Sequence, residues 1–184
     1  MEKTDLELIH NAQDGDEDAF KELLEKHLKH VYSFVYRLTG NGDESKDITQ
    51  DTFVKVWKNL KKYKQDFRFN TWIINIARNT AIDYLRKNRP LIFSDFDKED
   101  ELESFKDNLV DTEPLADELF EKEENKIILE KALANISIEK RTIILMHIYE
   151  SLTFEEISSI LKKPMNTIKS QYRRALTELK KYVS

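Results

Sequence analysis

Apolar side chains recur at spacings of three and four along most of this chain, and only three glycines and three prolines punctuate its 184 residues. That recurrence matches the α-helical period, whereas a half-buried strand alternates every second residue. So few turn formers leave little room for the many tight turns of a sheet protein. No strand alternation is readable, nor is any internal repeat with a period of roughly 20–50 residues. The expected fold class is all-α.

The apolar rows place the helices. Asp14 or Asp16 caps a helix with Phe20, Leu23, Leu24, Leu28, Val31, Phe34, Val35 and Leu38 on one broad face. Gly40-Asn41-Gly42 breaks it. A second helix, Asp43 to Leu60, carries Ile48, Phe53, Val56, Trp57 and Leu60 inward, and a third, from about Thr71 to Lys87, buries Trp72, Ile73, Ile76, Ile82 and Leu85 before Pro90. Four shorter helices follow further on. The first holds Ile127, Ile128, Leu129 and Leu133. The next, after Ser137, holds Ile143, Ile144, Leu145 and Ile148. A capping box, Thr153-x-x-Glu156, opens the third, with Phe154, Ile157, Ile160 and Leu161. The last follows Pro164 with Ile168, Tyr172, Leu176 and Leu179.

Charge divides the chain. The net charge of −5 comes from residues 93–124, which alone carry −11, while 1–92 carry +1 and 125–184 carry +5. Like charges repel along 93–124, its helical periodicity is weak and Pro114 interrupts it, so it is expected to be a flexible acidic linker between domains 1–92 and 125–184. A solvated spacer gives the same composition. Within the first domain, Lys55 to Arg89 holds ten basic groups against Asp66 and Asp83. A local basic field suits a polyanion whatever the total charge.

Several functions drop out. With no cysteine there is no disulfide, thiolate nucleophile or Cys-ligated zinc. No run approaches the roughly 20 apolar residues of a membrane span. The opening MEKTDLELIH has no apolar signal core, and a cytoplasmic location is expected. No C-terminal domain beyond the last helix is expected. Asp14, Asp16, Asp18 and Glu25 imitate a calcium loop, but Ala19 stands where the turn needs glycine. His27 and His30 share a helix face without a third ligand and read as a surface pair. No phosphate loop and no Ser-His-Asp pattern is present. No catalytic residue, metal or cofactor is expected, and the chain reads as a non-enzyme.

Three constellations remain. Leu152–Lys181 has the form of a helix-turn-helix, with the turn at Lys162-Lys163-Pro164. Its second helix presents Asn166, Thr167, Lys169, Ser170, Arg173 and Arg174 opposite the apolar row, groups suited to base edges and phosphates. A helical hairpin with a solvated basic face would look alike. In the second constellation, aromatic and basic residues interleave around Tyr63, Lys64, Phe67, Arg68 and Phe69. Trp57 and Trp72 fit buried stripes. The stretch Tyr63–Asn70 breaks the helical period, and exposed rings there suit stacking on unpaired bases. Tyr63, Phe67 and Phe69 would wall a flipped base, Lys64, Asp66, Arg68 and Asn70 would meet its edge, and Asn79 and Arg86 would hold the adjacent backbone. Third, Asp47, Gln50 and Asp51 share one polar helix face, which is either solvated or a partner surface.

These residues together resemble the extracytoplasmic-function sigma factors, the smallest class of bacterial RNA polymerase sigma subunits in the sigma-70 family. The likeness runs through Asp47-Ile48-Thr49-Gln50-Asp51-Thr52-Phe53, then Phe69-Asn70-Thr71-Trp72-Ile73 and Ile76 to Lys87. It continues in Leu152-Thr153-Phe154-Glu155-Glu156-Ile157 and Pro164 to Ser170. The resemblance implies a σ2-like bundle that docks on core polymerase through Asp47, Gln50 and Asp51 and opens the −10 element. It also implies a σ4-like domain that binds the −35 duplex, a linker running toward the polymerase active centre, and an anti-sigma factor as partner. Lys162, Ser158, Asn166 and Gln171 depart from the family's usual residues. The competing function is a stand-alone helix-turn-helix regulator that binds an operator as a dimer. It leaves the basic aromatic loop without a purpose.

Overall fold

A computed structural model describes residues 4–65, 67–88 and 126–183. The acidic segment 93–124, Asp66 and Pro90 lie outside the described residues, as does the side chain of Ile127. The chain divides into two compact units, Met1–Leu85 and Arg86–Ser184. Every regular element among the described residues is helical.

In the first unit, helix α1 spans Asp5–Gln13 and opens on a reciprocal capping box. The Thr4 hydroxyl accepts from the Glu7 amide and the Glu7 carboxylate accepts from the Thr4 amide. The apolar pattern assigned no helix here, because only Leu8, Ile9 and Ala12 are buried along it. The cap was nonetheless present in the sequence as Thr4-x-x-Glu7. Helix α2, Glu17–Thr39, has Asp16 as its N-cap, accepting from the Ala19 amide at 3.0 Å. It ends on Gly40 at φ 71°, a left-handed position that glycine adopts without strain. Helix α3, Gly42–Asn59, is capped by Asn41, and runs into a 3₁₀ turn at Leu60–Lys62. Helix α4 spans Phe69–Asn88, so it starts two residues earlier than the apolar pattern suggested.

Asp5 fastens α1 to α2. Its carboxylate takes Lys26 Nζ at 3.0 Å and His27 Nε2 at 2.9 Å. Burial pushes the Asp5 carboxyl upward, but the Lys26 hydrogen bond and the His27 charge outweigh it and hold the group below the usual carboxylate value.

The first core is built from Leu23, Val31, Phe34, Val35 and Leu38 of α2, Ile48 and Val56 of α3, and a row on α4. That row is Phe69, Ile73, Ala77, Ala81 and Leu85, four apart, with Ile74 beside it. Ile76 and Ile82, expected inside, are half-buried, because alanines on the four-residue row take the inner seam. Trp57, also expected inside, is 40% exposed and rests against Phe20, ring centroids 4.6 Å apart. Leu28 is exposed as well. The apolar arc on each helix is wider than the face its neighbours cover.

In the second unit, α5 is Lys126–Leu133 and α6 is Ile138–Ile144, prolonged by a π-helical turn at Leu145–Tyr149. Helices α7, Phe154–Leu161, and α8, Met165–Val183, follow. Leu129, Leu133, Ile143, Ile144, Leu145, Ile157, Ile168, Tyr172, Leu176 and Leu179 are buried. Ile128 is exposed, contrary to the expected stripe. Buried Arg141 closes the α5–α6 turn, its guanidinium donating to the carbonyls of Ala134 (2.9 Å) and Ile136 (3.1 Å). Those charge-assisted bonds satisfy loop carbonyls that no helix reaches. Lys140 pairs with Glu178 at 3.0 Å and ties α6 to α8.

Candidate nucleic-acid interface

Helix α3 sorts its polar groups by direction. Its inward hydroxyls donate back to the preceding turn, Thr49 to the Ser45 carbonyl at 2.6 Å and Thr52 to Ile48 at 2.7 Å. They are therefore buried at no cost in lost hydrogen bonds. Asp47, Gln50 and Asp51 are all exposed on the opposite side, so the three stand together as one acidic surface.

The loop after α3 differs from its expected form. Tyr63 is buried, its ring against Phe69 (5.5 Å, edge-on) and Trp72 (5.1 Å). Phe69 is buried in the first turn of α4, with the His27 ring edge-on at 5.2 Å. Two of the three rings expected to face a base are therefore core rings, because the aromatic cluster under α4 excludes more apolar surface than an open loop could. Phe67 alone of the three is exposed, at 38%, between exposed Lys64 and Arg68. The Tyr63 hydroxyl donates to the Phe67 carbonyl at 2.8 Å. Gln65 takes φ 54° to make the bend. Asp66 lies outside the described residues.

Asn70 also belongs to α4 rather than the loop, and its amide donates to His30 Nε2 at 3.2 Å. His27 and His30 are thus not a surface pair: each is half-buried and joins α2 to another element. Further along α4, Asn79 and Arg86 are exposed, and the Asn79 side-chain oxygen accepts from Arg78 at 2.9 Å. The loop thus offers one ring with cations beside it, and α4 continues with exposed polar groups. Trp57 is the exposed aromatic that the helical stripe concealed.

In the second unit, α7 carries its capping box at Thr153 and Glu156, with bonds of 2.8 and 3.2 Å. It stops on Lys162 at φ 53°. This is where glycine is favoured, and the lysine holds the left-handed turn at a conformational cost. The Ser158 hydroxyl donates to the Lys163 carbonyl at 2.6 Å and locks the turn from inside. Beneath it, His147, Phe154 and Tyr172 form a three-ring cluster with centroids 4.2 to 5.2 Å apart. His147 Nδ1 donates to the Leu152 carbonyl at 2.7 Å. These contacts set the crossing of α7 and α8.

Helix α8 buries Ile168, Tyr172, Leu176 and Leu179. Asn166 is exposed, and Thr167, Lys169, Ser170, Arg173 and Arg174 are partly exposed on the remaining arc. The structure brings these six together on one helix. It adds Met165, 41% exposed at the helix start, which apolar patterning could not single out.

Residues 23–90 match Sigma-70 region 2, and residues 126–179 match Sigma-70, region 4. The ECF RNA polymerase sigma-E factor of Salmonella typhimurium is 32% identical over 94% of this chain and 90% of its own length. The chain belongs to the ECF RNA polymerase sigma factors.

The ECF RNA polymerase sigma factor SigW of Bacillus subtilis is 29% identical, covering 94% of this chain and 93% of that protein. The sigma factor RpoE of Bartonella quintana, solved with the anti-sigma factor NepR, shares the fold, with a TM-score of 0.65 at 21% identity. That match spans 89% of this chain and 95% of that one. As a sigma factor the protein binds core RNA polymerase and directs promoter-specific transcription initiation. The region 2 match covers the basic aromatic loop that an operator-binding regulator would leave without a role. No helix among the described residues of this sigma factor is long and apolar enough to cross a membrane.

Proposed function

We propose that the two helical units divide promoter recognition between them, the first acting on unpaired −10 DNA and the second on the −35 duplex. The observation that carries this is the exposed Phe67 between Lys64 and Arg68, its backbone held by the buried Tyr63. A ring flanked by cations can stack on a base while the lysine and arginine meet phosphate. Phe67, Lys64 and Arg68 take the flipped base of the non-template strand, with Asp66 and Asn70 at its edge. Asn79 and Arg86 hold the neighbouring backbone. Tyr63 and Phe69 support the pocket from behind.

Asp47, Gln50 and Asp51 dock on a basic surface of core polymerase. Helix α8 enters the major groove, with Asn166, Thr167, Lys169, Ser170, Arg173 and Arg174 toward the duplex. The domains in this reading are 1–92 and 125–184, and the acidic segment 93–124 runs between them toward the polymerase active centre, its charge standing in for nucleic acid. The protein makes and breaks no bonds itself, works in the cytoplasm and is held inactive by an anti-sigma factor.

Run-off transcription with purified core polymerase on fragmented genomic DNA tests the division. Defined start sites should appear with this protein, and Phe67→Ala should reduce opening on duplex promoters. Normal opening by that variant on every promoter would remove the loop from the mechanism. Purification of the tagged chain from unstressed cells should recover a stoichiometric small partner that blocks this transcription. Recovery of core polymerase alone would count against the inhibitor.

A further inference from the structure

Helix α1 ends against the base-reading loop, and one side chain makes the connection. Gln13, the last residue of α1, reaches the 3₁₀ turn after α3, where its amide nitrogen donates to the Leu60 carbonyl at 2.9 Å and lies 3.4 Å from the Tyr63 carbonyl. The Leu60 carbonyl already accepts from the Tyr63 amide at 3.0 Å, and the second lone pair of its oxygen takes Gln13 as well. A carboxamide nitrogen has two hydrogens to give, so one side chain can serve both. Four residues on, the Tyr63 hydroxyl holds the Phe67 carbonyl. The loop is thus pinned at its start by Gln13 and at its end by Tyr63. Helix α1 is a firm anchor, with Leu8, Ile9 and Ala12 buried and Asp5 paired to Lys26.

We propose that Gln13 is a positioning residue for strand opening, fixing the backbone at Leu60 and Tyr63 so that Phe67 is presented in one orientation. This rests on the reading that the loop takes an unpaired base.

Gln13→Met and Gln13→Glu keep the chain length and remove the donor hydrogens. Open-complex formation with core polymerase is measured on a duplex promoter for both, for Phe67→Ala, and for Gln13→Met combined with Phe67→Ala. Gln13→Met should slow opening about 3- to 10-fold, the weight of one ordinary hydrogen bond, and Gln13→Glu at least as much, because its carboxylate then faces two carbonyl oxygens. Affinity for core polymerase and for a −35 duplex should stay at the wild-type value. The double variant should be no slower than Phe67→Ala, because both changes act through one loop. Normal opening by the Gln13 variants beside a defective Phe67→Ala overturns the proposal alone. So does a double variant whose defect is the product of the two single ones, which marks a general loss of stability. A normal Phe67→Ala overturns the loop reading, and the proposal falls with it.

Discussion

The hydroxyl of Tyr63 donates to the carbonyl oxygen of Phe67 across 2.8 Å, so the buried ring sets the span of the loop that carries the exposed one. Tyr63→Phe keeps the packing against Phe69 and Trp72 and loses the hydroxyl's bond to the Phe67 carbonyl. The bond is part-buried, so the stability loss should be about 0.5–1 kcal/mol, at the low end for a hydrogen bond. Thermal melts should show this small drop, and opening of a duplex promoter should slow. Opening at the wild-type rate would leave the hydroxyl with a purely structural part.

The acidic face of α3 offers a cleaner separation of folding from binding. Asp47 and Asp51 are exposed, so their replacement by lysine should leave the circular dichroism spectrum and melting temperature nearly unchanged. Affinity for core polymerase should fall at least tenfold through charge reversal against a basic surface. An unchanged affinity in a salt series would return this face to solvent.

On α8, Lys169→Ala and Arg173→Ala distinguish two kinds of DNA contact. A bidentate base contact contributes roughly 1–3 kcal/mol of discrimination, and its loss relaxes preference at one base pair. A phosphate contact weakens all duplexes alike and lowers the salt slope by about one. Titrations on matched and mismatched −35 duplexes across salt concentrations read both. If neither substitution alters binding, α8 is not the recognition helix.

Lys162 holds a left-handed conformation at the end of α7. A side chain there costs roughly 1–2 kcal/mol, part of which glycine returns as unfolded-chain entropy. Lys162→Gly should therefore stabilise the protein by up to about 1 kcal/mol in urea denaturation. A loss of stability would mean that the lysine side chain makes contacts outweighing its backbone strain.

Acid should loosen α1. The Asp5 carboxyl is held below its ordinary value of 3.8 in the folded chain, so its contribution is complete above that value and lost as pH falls through the folded one. Asp5→Asn lacks the contribution throughout. The stability gap between wild type and variant should be present above about pH 4 and close as pH falls below it. Because the pair is partly exposed, the gap should be small and should shrink with salt. A gap that persists in strong acid would assign the effect to packing.

The sequence was most legible where local chemistry and packing agree. Asp16, Ser137 and Thr153 cap the helices they precede, and the inward row of α8 is the apolar row of its sequence. Legibility failed where a residue's neighbours come from elsewhere in the chain. Tyr63 lies outside every helical row and so resembles a loop ring, yet it packs on Phe69 and Trp72 across the bend, while Phe69 stands four residues before Ile73 on a row whose start the loop-like Tyr63–Asn70 stretch obscures. Trp57 falls on the inner stripe of α3 but meets Phe20 at the margin of the core. Helix α1 was hidden because a nine-residue helix with three buried side chains gives too short a signal, although Thr4 and Glu7 announce its start.

The division of labour along α8 bears on how such a protein changes over generations. The residues that hold the helix in place, Ile168, Tyr172, Leu176 and Leu179, are separate from those on its outer arc. Substitutions on the outer arc disturb stability little, typically within about 0.5 kcal/mol. A duplicated copy could therefore drift one outward residue at a time toward a new set of promoters, staying folded at every step.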